Sequence, residues 1–97
     1  MSRLFYNEDE IEILDLSTWN TSNVTQMWNM FEGCTSLKKI ILSNWDTSNV
    51  ISMDNMFERC ESLEFLDLSG WDTYNVADMS CMFKGCYLLE ELNLSGW

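Results

Sequence analysis

Histidine and proline are absent from the 97-residue chain, glycine occurs four times, and only five basic residues face 16 acids. Without histidine there is no side chain whose ordinary pKa lies near neutrality, and the commonest general base and zinc-binding nitrogen are both missing. Scarce glycine argues against the glycine- and aspartate-rich loops that hold calcium in some parallel β repeats. The net charge of −11 opposes the polyphosphate of nucleic acids, so no nucleic-acid partner is expected. No stretch reaches the roughly 20 apolar residues of a membrane span. The start "MSRLFYNEDE" lacks the apolar centre of a signal peptide. Membrane insertion is therefore not expected, and taken literally the chain stays in the cytosol. What is abundant is apolar: 46% of residues are hydrophobic and 13% aromatic, enough for a packed core.

These residues are not scattered. The stretch "STWNTSNVTQMWNMFEGCTSL" returns 26 residues later as "SNWDTSNVISMDNMFERCESL" and again as "SGWDTYNVADMSCMFKGCYLL". Three full copies run 14–39, 40–65 and 66–91, flanked by partial copies at 1–13 and 92–97, and together they read as one array. Eleven of the 26 positions are identical in all three full copies, and no insertion or deletion separates them. Even the amino terminus keeps the phase, with Met1, Leu4, Phe5 and Ile11 in the places of Met27, Met30, Phe31 and Leu37. A period of this length marks an array in which each unit buries its apolar face by stacking on its neighbours.

Two spacings alternate inside each unit. Ile40 and Leu42 alternate with other positions, which predicts a short strand with both pointing inward. Val50, Met53, Met56, Phe57 and Cys60 then fall at i, i+3, i+6, i+7 and i+10, which predicts one face of a helix of about three turns. Asp46, Thr47, Ser48 and Asn49 precede it and are residue types that cap helix N–H groups. Gly33 and Gly85 sit where that helix would stop in a left-handed turn, although Arg59 holds the same place in the middle copy. The expected fold is an α/β repeat solenoid, a right-handed leucine-rich-repeat-like array with one short parallel strand and one short helix per turn.

The segment "LEFLDLSGWDTYNVADMSCMFKGC" resembles the repeat of BspA-like leucine-rich repeat surface proteins. The likeness extends over essentially the whole chain, with Trp, Asn-Val, Met-x-x-Met-Phe and Cys recurring at matching offsets. The resemblance implies a leucine-rich solenoid that is not an enzyme, commonly displayed on microbial surfaces and associated with adhesion or protein binding.

Recurring residues suit a shared interior. Trp19, Trp45, Trp71 and Trp97, and Phe31, Phe57 and Phe83, are assigned to the core, and Cys34, Cys60 and Cys86 to a column of buried free thiols. Cys81 occupies a variable place and is expected at the surface. Asn23, Asn49 and Asn75, with Asn20, Asp46 and Asp72, are assigned to hydrogen bonds of turns rather than to a metal. Asn20, Asn23 and Asn93 begin N-x-[ST] tripeptides that chance explains adequately.

Recurrence fails on the outward face of the strands. Ile13, Lys39, Phe65 and Glu91 form one row, and Asp15, Ile41, Asp67 and Asn93 the next. Candidate partner-binding residues are therefore Lys39, Ile41, Phe65, Asp15, Asp67 and Glu91, together with Trp28, which occurs once where other copies have Asp54 and Ser80. No catalytic residue, cofactor or metal ligand is assigned. The expected role is a non-catalytic protein-interaction module, and the alternative is a structural spacer or fragment of a longer array. Strand edges at either end of the array would remain unpaired, so low stability or end-to-end self-association is also expected.

Overall fold

The computed structural model describes residues 1–97. A short strand occupies the start of each copy: β1 (Ile13–Asp15), β2 (Lys39–Ile41), β3 (Phe65–Asp67) and β4 (Glu91–Asn93). β1 and β2 pair in parallel with Ile13 opposite Lys39, Leu14 opposite Ile40 and Asp15 opposite Ile41. β3 and β4 repeat this register with Phe65 opposite Glu91, Leu66 opposite Leu92 and Asp67 opposite Asn93. The offset in both pairs is the sequence period. The pairs nevertheless form two separate two-stranded sheets, not one continuous curved sheet.

The expected helix is absent. No residue is helical, and the Met-x-x-Met-Phe-x-x-Cys segments are runs of turns. In the first full copy, i to i+3 hydrogen bonds link Glu32 to Asn29, Cys34 to Phe31 and Leu37 to Cys34. Between these turns the backbone enters the left-handed region at Asn29 (φ 56°) and Gly33 (φ 77°), and again at Asn55, Arg59, Cys81 and Gly85. One such residue every fourth position breaks a right-handed helix. The freed amides cross to the next copy: Asn29 donates to Asp54, Phe31 to Met56 and Gly33 to Glu58, at 2.8 to 3.0 Å. Of 45 backbone hydrogen bonds, 41 lie outside the strands, so turns and inter-copy bonds hold the chain together.

The apolar stripe read as a helix face is buried all the same. Val50, Met53, Met56, Phe57 and Cys60 are each fully inaccessible to solvent. Phe5, Phe31, Phe57 and Phe83 stack through the core with centroids 5.6, 5.3 and 6.0 Å apart. Trp45 lies parallel to Trp71 at 5.9 Å, and its indole Nε1 donates to the Leu16 carbonyl at 2.8 Å. Like residues therefore meet like residues between copies.

The solenoid outline is overturned along with the helices. The chain is a compact globule of 29 × 25 × 24 Å, without the long axis or helical layer of a leucine-rich-repeat-like array. Without helices each unit folds back as a turn-rich loop, and no second layer spreads the strands into a curved sheet.

Candidate binding face

Strand residues point alternately to the two faces, so the outward positions follow from the inward ones. Ile40 and Leu66 are buried in the core, which turns Lys39 and Ile41, and Phe65 and Asp67, to the other side. Phe65 is 52% exposed and Ile13 65% exposed, both large for apolar side chains. The register places Glu91 beside Phe65 and Asp15 beside Ile41. Six of the seven candidate residues thus share the strand face. Trp28 does not: it is half-buried in the turn segment, with the Arg3 guanidinium 5.5 Å from its ring centre.

A cleft of about 350 Å³ opens between β2 and β3, where the two sheets part. Ile41, Phe65 and Asp67 line it, and Leu42, Trp45 and Trp71 reach it from the core side. Ser43, Asn44, Ser69 and Gly70 complete the rim from the turns that follow the two strands. The backbone explains the opening. Leu16 donates to Ile41 and Leu68 to Asn93, each at 3.0 Å, but the equivalent amide of Leu42 makes no bond across to β3. Likewise the carbonyls of Glu12 and Glu64 accept from the neighbouring copy while that of Lys38 does not. Pairing resumes farther along the copies, through the bridges from Gln26 to Ser52 to Asp78.

Sequence reasoning found Ile41, Phe65 and Asp67 through their failure to recur. It missed the indoles of Trp45 and Trp71 as cleft-lining groups because their recurrence marked them as interior. Only their place directly after a strand end could have signalled both roles.

The acids are held by local turns. Asp67 Oδ1 accepts from the Ser69 amide at 2.9 Å, and Asp15 Oδ1 from the Ser17 amide and hydroxyl at 3.0 and 2.7 Å. Hydrogen bonds from Ser17 hold the Asp15 carboxyl below its ordinary pKa, helped by the nearby charge of Lys39. Ser69 does the same for Asp67 and Ser48 for Asp46. Charge is uneven across the face. Near β1 and β2, Glu12 and Asp15 are balanced by Lys38 and Lys39, with Lys38 Nζ 3.2 Å from Glu12. On β3 and β4 the outward acids Asp67 and Glu91 meet no basic residue of those two strands, while Lys39 stands on β2 across the cleft.

The other polar columns are structural. Asn49 and Asn75 donate to the carbonyls of Ser22 and Ser48 in the preceding copy, at 2.7 and 2.8 Å. Asn20 and Asp46, expected to cap a helix or turn, accept from Ser22 and Ser48 in tight turns. The thiols of Cys34, Cys60 and Cys86 each donate to the carbonyl of Phe5, Phe31 and Phe57 in turn, at 3.1 to 3.2 Å. Burial pushes the Cys34 thiol up to about 11 and raises Cys60 and Cys86 as well. Cys81 is exposed.

Such an architecture defines a class of stacked turn-and-strand units whose recurring apolar residues fill a shared interior. The chain belongs to the family described as Mycoplasma protein of unknown function, DUF285, whose model matches residues 1–97. No curated protein and no solved structure matches it.

Proposed function

We propose that this chain is a non-catalytic protein-interaction module that uses its strand face, as part of a surface or adhesion-type protein. The observation that carries the reading is the exposure of Phe65 at a cleft that Ile41 also lines. Apolar side chains gathered at a concave place on an otherwise acidic surface favour a partner that covers them. The likeness of the Trp, Asn-Val, Met-x-x-Met-Phe and Cys offsets to those of BspA-like surface proteins supports the surface or adhesion setting. Support for a non-catalytic role comes from the reactive side chains themselves. Buried thiols with raised pKa values are poor nucleophiles, and Asp15, Asp46 and Asp67 are committed to local turns.

The test is selection of a random peptide display library on the intact chain and on the Ile41→Asp/Phe65→Asp variant, with near-ultraviolet dichroism confirming the variant's fold. Peptides enriched on the parent and lost on the variant support the module. Enrichment that is equal on both, or absent from both, would leave the spacer reading in its place.

A further inference from the structure

The β2–β3 cleft has three features that together specify a ligand class. Half of its ten lining residues are apolar, with Ile41 and Phe65 at the opening and Leu42, Trp45 and Trp71 on the core side. At its side the Leu42 amide makes no bond across to β3, unlike the Leu16 and Leu68 amides toward their neighbouring copies, so the two strands part there. On its β3 side the outward acids Asp67 and Glu91 have no basic neighbour on β3 or β4, while the one basic strand residue, Lys39 on β2, lies near Asp15 of β1.

We propose that the cleft receives one apolar side chain of an extended basic peptide segment, whose Lys or Arg side chains two residues to either side pair with Asp67 and Glu91. This inference rests on the interaction-module reading and narrows its partner. In an extended peptide, alternate side chains point to opposite sides and residues two apart share a side. A peptide that crosses the cleft can thus seat one apolar side chain while the side chains two residues to either side reach along the strand face. The charge pattern selects against an acidic partner, because carboxylates brought to Asp67 and Glu91 would meet like charge. A cleft of about 350 Å³ suits one large aliphatic or aromatic side chain and excludes a folded domain.

The experiment measures fluorescence anisotropy of three labelled nonapeptides on the full chain, each with serine at the even positions: lysine at the odd positions with leucine at the centre (lysine–leucine), lysine at every odd position (lysine–serine), and glutamate at the odd positions with leucine at the centre (glutamate–leucine). The lysine–leucine peptide should bind. The lysine–serine peptide should bind about tenfold more weakly, having lost an apolar anchor. The glutamate–leucine peptide should not bind. Phe65→Ser should weaken the lysine–leucine complex by about tenfold. Asp67→Asn/Glu91→Gln should weaken it by about three- to tenfold, and raised salt should weaken the parent complex similarly.

Asp67→Asn keeps the turn, because Asn93 Oδ1 accepts from Ser95 in the same place of the next copy. Loss of binding in that variant therefore reports charge. Binding of the lysine–leucine peptide that is indifferent to both variants would overturn the inference, as would its failure to bind. Equal binding of the glutamate–leucine peptide, abolished by Phe65→Ser, would refute the basic partner while upholding the module. Library peptides insensitive to Ile41→Asp/Phe65→Asp would instead refute the module itself.

Discussion

Replacing Thr47 with valine tests the claim that side chains, and not only backbone ladders, bolt one copy to the next. Thr47 is 1% exposed, and its Oγ1 donates to the Asp72 carbonyl at 3.1 Å while accepting from the Asp72 amide at 2.9 Å. Valine keeps the shape and removes both bonds, leaving an amide and a carbonyl facing a methyl group. A buried polar group deprived of its partner costs about 1–3 kcal/mol. Asp72 is itself exposed, so water recovers part of the loss and the expected total is about 2 kcal/mol. Thr47→Ser supplies the contrast: it keeps the hydroxyl and loses one buried methyl, a cost of about 1 kcal/mol. Urea unfolding followed by tryptophan fluorescence should show the valine midpoint lower than the parent by about 1 M, with serine between them. Thr21 makes the same pair of bonds to Asp46 at the preceding junction, at 3.1 and 2.9 Å, and Thr21→Val should behave alike. A valine variant as stable as the parent, or more stable than the serine variant, would refute the bridging role.

The left-handed column gives a prediction of opposite signs. Arg59 has φ 61° where Gly33 and Gly85 have φ 77°, so Arg59→Gly should relieve strain of about 1 kcal/mol, partly offset by the added freedom of the unfolded chain. Gly33→Ala should destabilise by about 1–2 kcal/mol, since its Cβ would press on Asn7 Oδ1 at an unfavourable φ. Thermal melts of the two variants should shift in opposite directions, and a shift in the same direction would contradict the turn geometry. Thiol labelling at pH 8 should modify Cys81 rapidly in the native chain and spare Cys34 and Cys60 until unfolding. The Cys34 contribution to stability is full below its ordinary value of 9.0 and is lost as pH rises toward about 11, because only the unfolded chain releases that proton readily. Mass spectrometry showing Cys34 or Cys60 modified as fast as Cys81 would refute their burial.

The period of 26 residues was legible, and with it the strand positions and the register that sets Ile13 beside Lys39 and Phe65 beside Glu91. The helix was misread for a specific physical reason. Consecutive i to i+3 turns place side chains on one side at intervals of three and four, the same intervals a helix produces. Val50, Met53, Met56, Phe57 and Cys60 are therefore buried under either backbone, and their spacing cannot choose between the two. The deciding signal lay in residues that tolerate the left-handed region. Asn29 and Gly33, then Asn55 and Arg59, stand four apart, and asparagine and glycine at that interval interrupt a helix at every turn. Arg59 and Cys81 weakened the pattern by occupying places where neither residue type is usual. Candidate site residues were legible through variability, which located Ile41, Phe65 and Asp67. The cleft joining them depends on hydrogen bonds missing between β2 and β3, and no residue type encodes that absence.

The turn-based backbone also bears on where function can reside. In a helix the interior amides are satisfied within the element, so a single unit could hold its own shape. Here the amides of Phe31 and Gly33 reach Met56 and Glu58, those of Phe57 and Arg59 reach Met82 and Lys84, and Thr47, Asn49 and Cys60 add side-chain bonds to adjacent copies. Each unit is thereby completed by its neighbours. A substitution at a recurring position disturbs two junctions, whereas one at Phe65 or Glu91 touches an exposed row. Variation is physically inexpensive on exposed positions such as that row, and surface chemistry can change there without altering how the copies stack.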